Sequence, residues 1–143
     1  MTDQPPKAVL FTCTQNAVRS VIAEALLKQA ALPSVTAIAS CGVIEGVPDG
    51  FAIAVMSEQG VDISEHEPRD FDSCSAQDFD MIISFSPDAH YHAKSWAASG
   101  CELLFWDVRP PQHNEGSRED TLQSYRMLRD EISRKLDETF MSA

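Results

Sequence analysis

The chain has 143 residues, 43% of them hydrophobic and 23% charged, and a formal net charge of −11. That length suits one domain, residues 1–143, able to bury about 70% of its unfolded surface and so to build a core without disulfides. The acidic excess argues against nucleic acid or an anionic membrane as the main partner, since both require basic patches.

No apolar run approaches the roughly 18 residues needed to cross a membrane. The opening Met1-Thr2-Asp3-Gln4-Pro5-Pro6-Lys7 lacks the basic start and apolar stretch of a signal peptide, so the cytoplasm is the expected location. Cys13, Cys41, Cys74 and Cys101 form no CxxC pair and read as free thiols of a reducing compartment. His90 and His92 lie two apart on a predicted helix and point away from each other. No metal or other cofactor is expected.

Residues 8–12, Ala-Val-Leu-Phe-Thr, form a short apolar run bounded by Pro-Pro and read as a buried strand. After a loop over 13–19, Ser20 is the predicted cap of a helix whose Val21, Ile22, Ala25 and Leu26 recur at helical spacing. A second strand is predicted over 35–39, with Ser40-Cys41-Gly42 turning out of it, then a helix over 50–59 ended by Gly60. Residues 64–78 are polar, contain Pro68 and read as a long loop with a helical turn. A strand over 79–85, a helix over 87–98 with Pro near its first turn, and a strand over 102–106 follow. The loop 107–117 leads to a long amphipathic helix over 118–140, with Leu122, Tyr125, Leu128, Ile132, Leu136 and Phe140 on one face.

This alternation predicts an α/β fold: a four-stranded parallel open sheet with helices on both faces, flavodoxin-like in arrangement. Ligands of such sheets bind beyond the carboxyl ends of the strands. The loops 13–19 and 107–117 both lie at that edge.

The chemistry concentrates in Cys13-Thr14-Gln15-Asn16-Ala17-Val18-Arg19-Ser20, between the first strand and the first helix. Backbone N–H groups of such a loop, joined by those of the helix's first turn, converge on an anion. The helix dipole adds about half a positive charge there, which supplies the local attraction that the chain's net charge opposes. The same field favours a nucleophilic Cys13 thiolate. Arg19 offers a planar fork for two oxyanion oxygens. The Ser20 hydroxyl can hydrogen-bond the sulfur and assist its later departure. The substrate-binding set is therefore Thr14, Gln15, Asn16, Ala17, Val18 and Ser20, around catalytic Cys13 and Arg19. A Walker A loop is excluded, because no Gly-Lys-Ser/Thr occurs.

From Val9 to Leu27 the sequence resembles the signature of the low-molecular-weight protein tyrosine phosphatases and their arsenate reductase relatives. The resemblance continues through Ser40-Cys41-Gly42, Gly46-Val47-Pro48-Asp49, Gly60-Val61-Asp62-Ile63, His66, Arg69 and the strand at Asp80-Met81-Ile82-Ile83. It implies the low-molecular-weight phosphatase fold and a cysteinyl-phosphate intermediate on Cys13. It also implies Arg19 as phosphate binder, Asn16 and Ser20 as loop organisers, and Ser40 as a hydrogen-bond partner of that loop. The implied ligands are a phosphorylated protein or small aryl phosphate, inorganic phosphate and other oxyanions.

Against that pattern, the family's acid, an aspartate in an Asp-Pro pair, falls on Pro110, and Asp107 three residues earlier is the candidate acid. Gln112-His113-Asn114 stand where the family often has aromatic residues, Val18 replaces a second loop cysteine, Gln15 a common glycine, and Arg109 is new. Proton donation to a leaving group is worth about 10²–10⁴-fold, so an impaired acid would slow phosphotyrosine turnover. Two alternatives follow: a catalytically weak oxyanion- or phosphoprotein-binding pseudophosphatase, and an arsenate reductase using an external thiol. A thioredoxin-coupled mechanism is disfavoured, since Ser86-Pro87-Asp88 stands where a further cysteine is needed.

Overall fold

The computed structural model describes residues 6–112 and 117–141. Its strands are β1 (Ala8–Cys13), β2 (Ala37–Gly42), β3 (Met81–Ser84) and β4 (Glu102–Phe105). Its helices are α1 (Arg19–Ala30), α2 (Gly50–Ser57), α3 (Pro87–Trp96) and α4 (Arg118–Leu136), with 3₁₀ turns at Phe71–Ser73 and Ala76–Asp78 and a π turn at Asp137–Met141. All strand pairs are parallel, in the order β2-β1-β3-β4. The expected α/β architecture is present. β2 lies on one side of β1 and β3 on the other, so the carboxyl end of β1 sits at the point where the strand order reverses, the ligand-binding position of open α/β sheets.

The four residues of β3 and five of the six of β1 are buried, because helices cover both faces and leave no solvated side. One face packs Val9, Phe11, Val21, Ile22, Leu27, Val55, Ile83 and the apolar stripe of α4. The other packs Leu10, Cys41, Phe71, Ile82 and Ala93. Side chains alternate across a strand, so Cys13 belongs to the first face and Cys41 to the second.

Several predicted boundaries differ, three of them with a visible cause. The second strand runs Ala37–Gly42, so Ser40, Cys41 and Gly42 lie inside it. Their partners are Phe11, Thr12 and Cys13 of β1, while residues 32–35 are drawn into a turn by Val35 N–H donating to Leu32 O at 3.1 Å. α1 begins at Arg19 with Val18 at its N-cap and no side-chain cap. Ser20 therefore does not cap it, because its hydroxyl is engaged with Cys13 and Asn16. α3 ends at Trp96, two residues early, where Ala97 adopts an extended backbone.

Candidate active site

Cys13 ends β1, 3% exposed, and the chain then turns through residues 14–18 into α1. Val43 N–H donates to Cys13 O at 3.1 Å, Ile44 N–H to Thr14 O at 2.9 Å and Gly46 N–H to Gln15 O at 3.0 Å. A peptide's C=O and N–H point in opposite directions. With those carbonyls turned toward residues 43–46, the N–H groups of Thr14, Gln15 and Asn16 face the other way. Asn16 carries φ 54°, the left-handed region that asparagine tolerates better than most residues. The loop lies so close to the end of β2 that a Cβ on Gly42 would stand 2.7 Å from Asn16 N and 2.9 Å from Gln15 C.

A buried polar network holds the loop, and one backbone donor orients its amide. Arg69 N–H, which can only donate, reaches Asn16 Oδ1 at 3.0 Å. That orients the amide so that Asn16 Nδ2 donates to Ser20 Oγ and to Ser40 Oγ, each at 2.9 Å. Ser20 Oγ, which accepts this bond, lies 3.0 Å from Cys13 Sγ, so its hydroxyl can donate to the sulfur when that is a thiolate. Ser40 in turn donates to Glu24 Oε1, and Arg69 Nε donates to Ser40 O at 3.0 Å. His66 Nε2–H donates to Asn16 Oδ1 at 3.0 Å, while its Nδ1 lies 3.9 Å from Glu24 Oε1. Burial holds the His66 imidazolium below its usual range, against the pull of Glu24.

Arg19 Nη1 donates to Phe85 O at 2.9 Å and Val108 O at 2.8 Å. Among the described residues its Nε and Nη2 carry no partner, which leaves one edge of the guanidinium for a bidentate contact. Thr14 Oγ1 lies 3.2 Å from Ser86 Oγ and 3.0 Å from Asp88 Oδ1 at the N-terminus of α3. Burial works to raise the Asp88 carboxyl, but hydrogen bonds from Ser86, Thr14 and Ala89 outweigh it and keep it below the usual carboxylate range.

The concavity above the loop encloses about 440 Å³. Cys13, Thr14, Gln15, Ala17, Val18 and Arg19 form its floor, Val47, Pro48 and Asp49 one wall, and Pro110, Pro111 and Tyr125 another. The structure brings the predicted set together around this space, with Asn16 and Ser20 fully buried beneath it. Asp107 is not brought there. It is exposed and lines a neighbouring groove with Arg109 and α4, because Val108 turns inward to Arg19 and leaves Asp107 on the outer side. Pro110 and Pro111 line both spaces. His113 and Asn114 lie outside the described residues.

The carboxylate that does line the Cys13 concavity is Asp49, which belongs to the Gly46-Val47-Pro48-Asp49 stretch of the resemblance but carried no expected site role. Its Oδ1 accepts from Phe51 N and Ala52 N at 2.9 and 3.0 Å, capping α2, and its Oδ2 accepts from Tyr125 OH at 2.8 Å. The Tyr125 hydroxyl is pushed above its usual range, first by burial and then by Asp49. An aspartate just before an apolar helix is a legible cap signal. Tyr125 was legible only as one residue of a core stripe. Among the described residues no cluster of three or more His, Cys, Asp or Glu could hold a metal ion, and no helix is long and apolar enough to cross a membrane.

Residues 8–142 match the family model of low molecular weight phosphotyrosine protein phosphatases. A probable low molecular weight protein-tyrosine-phosphatase, EpsP of Ralstonia solanacearum, is 40% identical over 79 residues, a match spanning 54% of this chain and 54% of that protein. The chain thus aligns with about half the length of that relative. A glutaredoxin arsenate reductase of Synechocystis sp. is 26% identical over 133 residues, covering 92% of this chain and 94% of that one. An arsenate reductase solved in its phosphate-binding state superimposes with a TM-score of 0.72 at 25% identity, over 92% of this chain and 95% of the other. The parallel sheet, the loop closing on Cys13 and Arg19, and the family match over nearly the whole chain agree: this chain belongs to the low molecular weight phosphotyrosine protein phosphatase family.

Proposed function

We propose that the protein hydrolyses phosphomonoesters, with protein phosphotyrosine as the expected class, through a cysteinyl-phosphate intermediate. The observation that carries this reading is Cys13 Sγ, 3.0 Å from the Ser20 hydroxyl that can donate to its thiolate, beneath a concavity floored by the same loop and Arg19. An arsenate reductase with the same fold has a phosphate-binding state, and oxyanion binding by this loop agrees with that.

In the first step the Cys13 thiolate attacks phosphorus, the S–P bond forms, and the bond to the leaving oxygen breaks. The equatorial oxygens collect charge against the loop N–H groups and the open edge of Arg19, donors fixed before the reaction begins. In the second step water attacks phosphorus, inorganic phosphate leaves, and the sulfur departs as a thiolate stabilised by Ser20. Thr14, Gln15, Ala17 and Val18 shape the floor, and Asn16 holds the loop's curvature. Asp49 is occupied by the α2 cap and Tyr125, and Asp107 faces the neighbouring groove. Leaving groups that depart without a proton are therefore the better substrates.

The test is hydrolysis of para-nitrophenyl phosphate and of phosphotyrosine by the wild type and by Cys13→Ser. Turnover abolished by the substitution supports the reading. No turnover of either substrate by a folded wild type that still binds phosphate would sink it and favour an oxyanion-binding regulator.

Arsenate reduction with an external thiol is a second reading, favoured by the 26% identity to the Synechocystis enzyme over nearly the whole chain. Ser84 and Ser86 stand at the end of β3, and neither Cys74 nor Cys101 lines the Cys13 concavity. Arsenate-dependent oxidation of glutathione, absent in Cys13→Ser, is the corresponding assay.

A further inference from the structure

The sheet face turned away from Cys13 carries two thiols that the reaction above does not use. Cys41 lies on β2 and is fully buried. β2 is an edge strand, and residues 69–70 lie against its end: Gly42 N–H donates to Arg69 O at 2.8 Å, and Gly42 and Asp70 form an isolated parallel bridge. From there Phe71 turns into the core beside Cys41, and Cys74 N–H donates to Phe71 O at 3.0 Å, closing a 3₁₀ turn. Cys74 packs against that same cluster, half-buried, close enough to Cys41 that each thiol shifts the other's titration.

The two thiols occupy unequal environments. The Cys41 thiol and the Arg69 guanidinium both favour a thiolate at Cys74 and hold it below the usual 9.0, although burial opposes them. Cys41 is pushed upward by its contact with Cys74 and by burial, so it stays protonated. Cys101, in the same cluster, is pushed upward by burial and by Asp80 and Glu102. One partly exposed thiolate beside one buried thiol is the arrangement of an attacking and a resolving cysteine.

We propose that Cys41 and Cys74 are a peroxide-reactive dithiol that closes reversibly to a disulfide. The Cys74 thiolate attacks an oxygen of hydrogen peroxide, the O–O bond breaks, and a sulfenic acid forms with release of hydroxide. The Cys41 sulfur then attacks the Cys74 sulfur, the S–O bond breaks, and the Cys41 proton leaves with the departing hydroxide as water. The thiols lose two electrons and the peroxide gains them. An external thiol reverses the bond by exchange. The link ties the segment bearing His66 and Arg69, both hydrogen-bonded to Asn16, onto the strand that carries Ser40. It gives this chain an oxidisable pair outside the phosphate loop, where Val18 offers Cys13 no thiol partner.

The experiment treats full-length Cys13→Ser, which removes competing oxidation at the nucleophile, with hydrogen peroxide. The readouts are thiol titration and peptide mapping without reduction. Reactive thiols should fall from three (Cys41, Cys74 and Cys101) to one, with a peptide joining residues 41 and 74 that dithiothreitol cleaves. Cys74→Ser in that background should leave Cys41 unmodified, and the loss of Cys74 thiol should outpace that of Cys101 by about tenfold or more. Wild-type protein mapped in parallel guards against misfolding of the variant. Cys74 ending as sulfinic acid beside a free Cys41, a bond to Cys101 or to a second chain, or no reaction where glutathione is oxidised would each overturn the proposal. These outcomes stand apart from turnover of para-nitrophenyl phosphate, which tests the phosphatase reading alone.

Discussion

Arg19 Nη1 donates to the Val108 carbonyl at 2.8 Å and to the Phe85 carbonyl at 2.9 Å. One guanidinium therefore ties the phosphate loop to the segments that follow β3 and β4, while its remaining edge stays available for an oxyanion. Lysine has one nitrogen and no fork, so it cannot make both tethers and a bidentate contact. Arg19→Lys should reduce kcat/KM for para-nitrophenyl phosphate by about 10²–10³, the loss typical of one oxyanion donor. Steady-state kinetics measure this, and a loss under tenfold would remove Arg19 from the transition state.

Gly42 has no room for a side chain. A Cβ there would stand 2.7 Å from Asn16 N, 2.8 Å from Ile44 O and 2.9 Å from Gln15 C, all backbone atoms that cannot rotate away. Gly42→Ala must push the phosphate loop off the end of β2. The expected cost is about 1–3 kcal/mol of stability, as for other overpacking changes, with a larger proportional loss of kcat than of para-nitrophenyl phosphate affinity. Urea denaturation together with kinetics checks it, and wild-type values for both would show that the loop and strand do not meet as described.

Asp107 separates the expectation drawn from the sequence from the geometry. Acting as the acid, its replacement would cost about 10²–10⁴ on phosphotyrosine. Facing the groove beside α4, it should cost less than about twofold on either substrate, a surface change of the usual size. Asp107→Asn assayed on para-nitrophenyl phosphate and phosphotyrosine decides between them. A selective loss on phosphotyrosine would mean that the 107–112 loop moves Asp107 to the leaving oxygen during turnover.

His66 links pH to the loop. Burial depresses its pKa below the usual 6.5, so the unfolded chain takes up its proton first as pH falls. Its contribution to stability is present above about pH 6.5 and is lost as pH drops through the folded-state value. Denaturation midpoints should decline from pH 7 toward pH 5, and more shallowly in His66→Gln, which keeps a donor for Asn16 Oδ1. Equal slopes in the two proteins would locate the titration elsewhere.

The succession of elements, the parallel sheet and the loop between the first strand and helix were legible because they rest on local signals: apolar runs, a helical repeat, and a cysteine spaced six residues from an arginine. Ser20 was misread for the same reason. A serine at a helix start is locally a cap, and only contact with Cys13 and Asn16 turns it inward. Ser40 and Gly42 read as a turn because small residues mark turns, yet pairing with β1 and the proximity of the phosphate loop make them strand. Asp49 and Tyr125, 76 residues apart, are legible singly as a cap and a core residue, but nothing in the sequence records that they meet beside Cys13.

By itself, then, the sequence determined the chemistry available at the first loop, since one contiguous stretch carries the nucleophile, the guanidinium and the helix start that attract an oxyanion. Tertiary structure alone decided which distant groups complete that site. Asn16 is held by Arg69 and His66 from the segment after α2, and Ser40 arrives from a neighbouring strand. The inward turn of Val108 to Arg19 sets Asp107 on the outer side of its loop. Such placements depend on which backbone groups pair across the sheet and which side of a loop each carbonyl takes, and those contacts join residues whose order along the chain carries no record of the meeting.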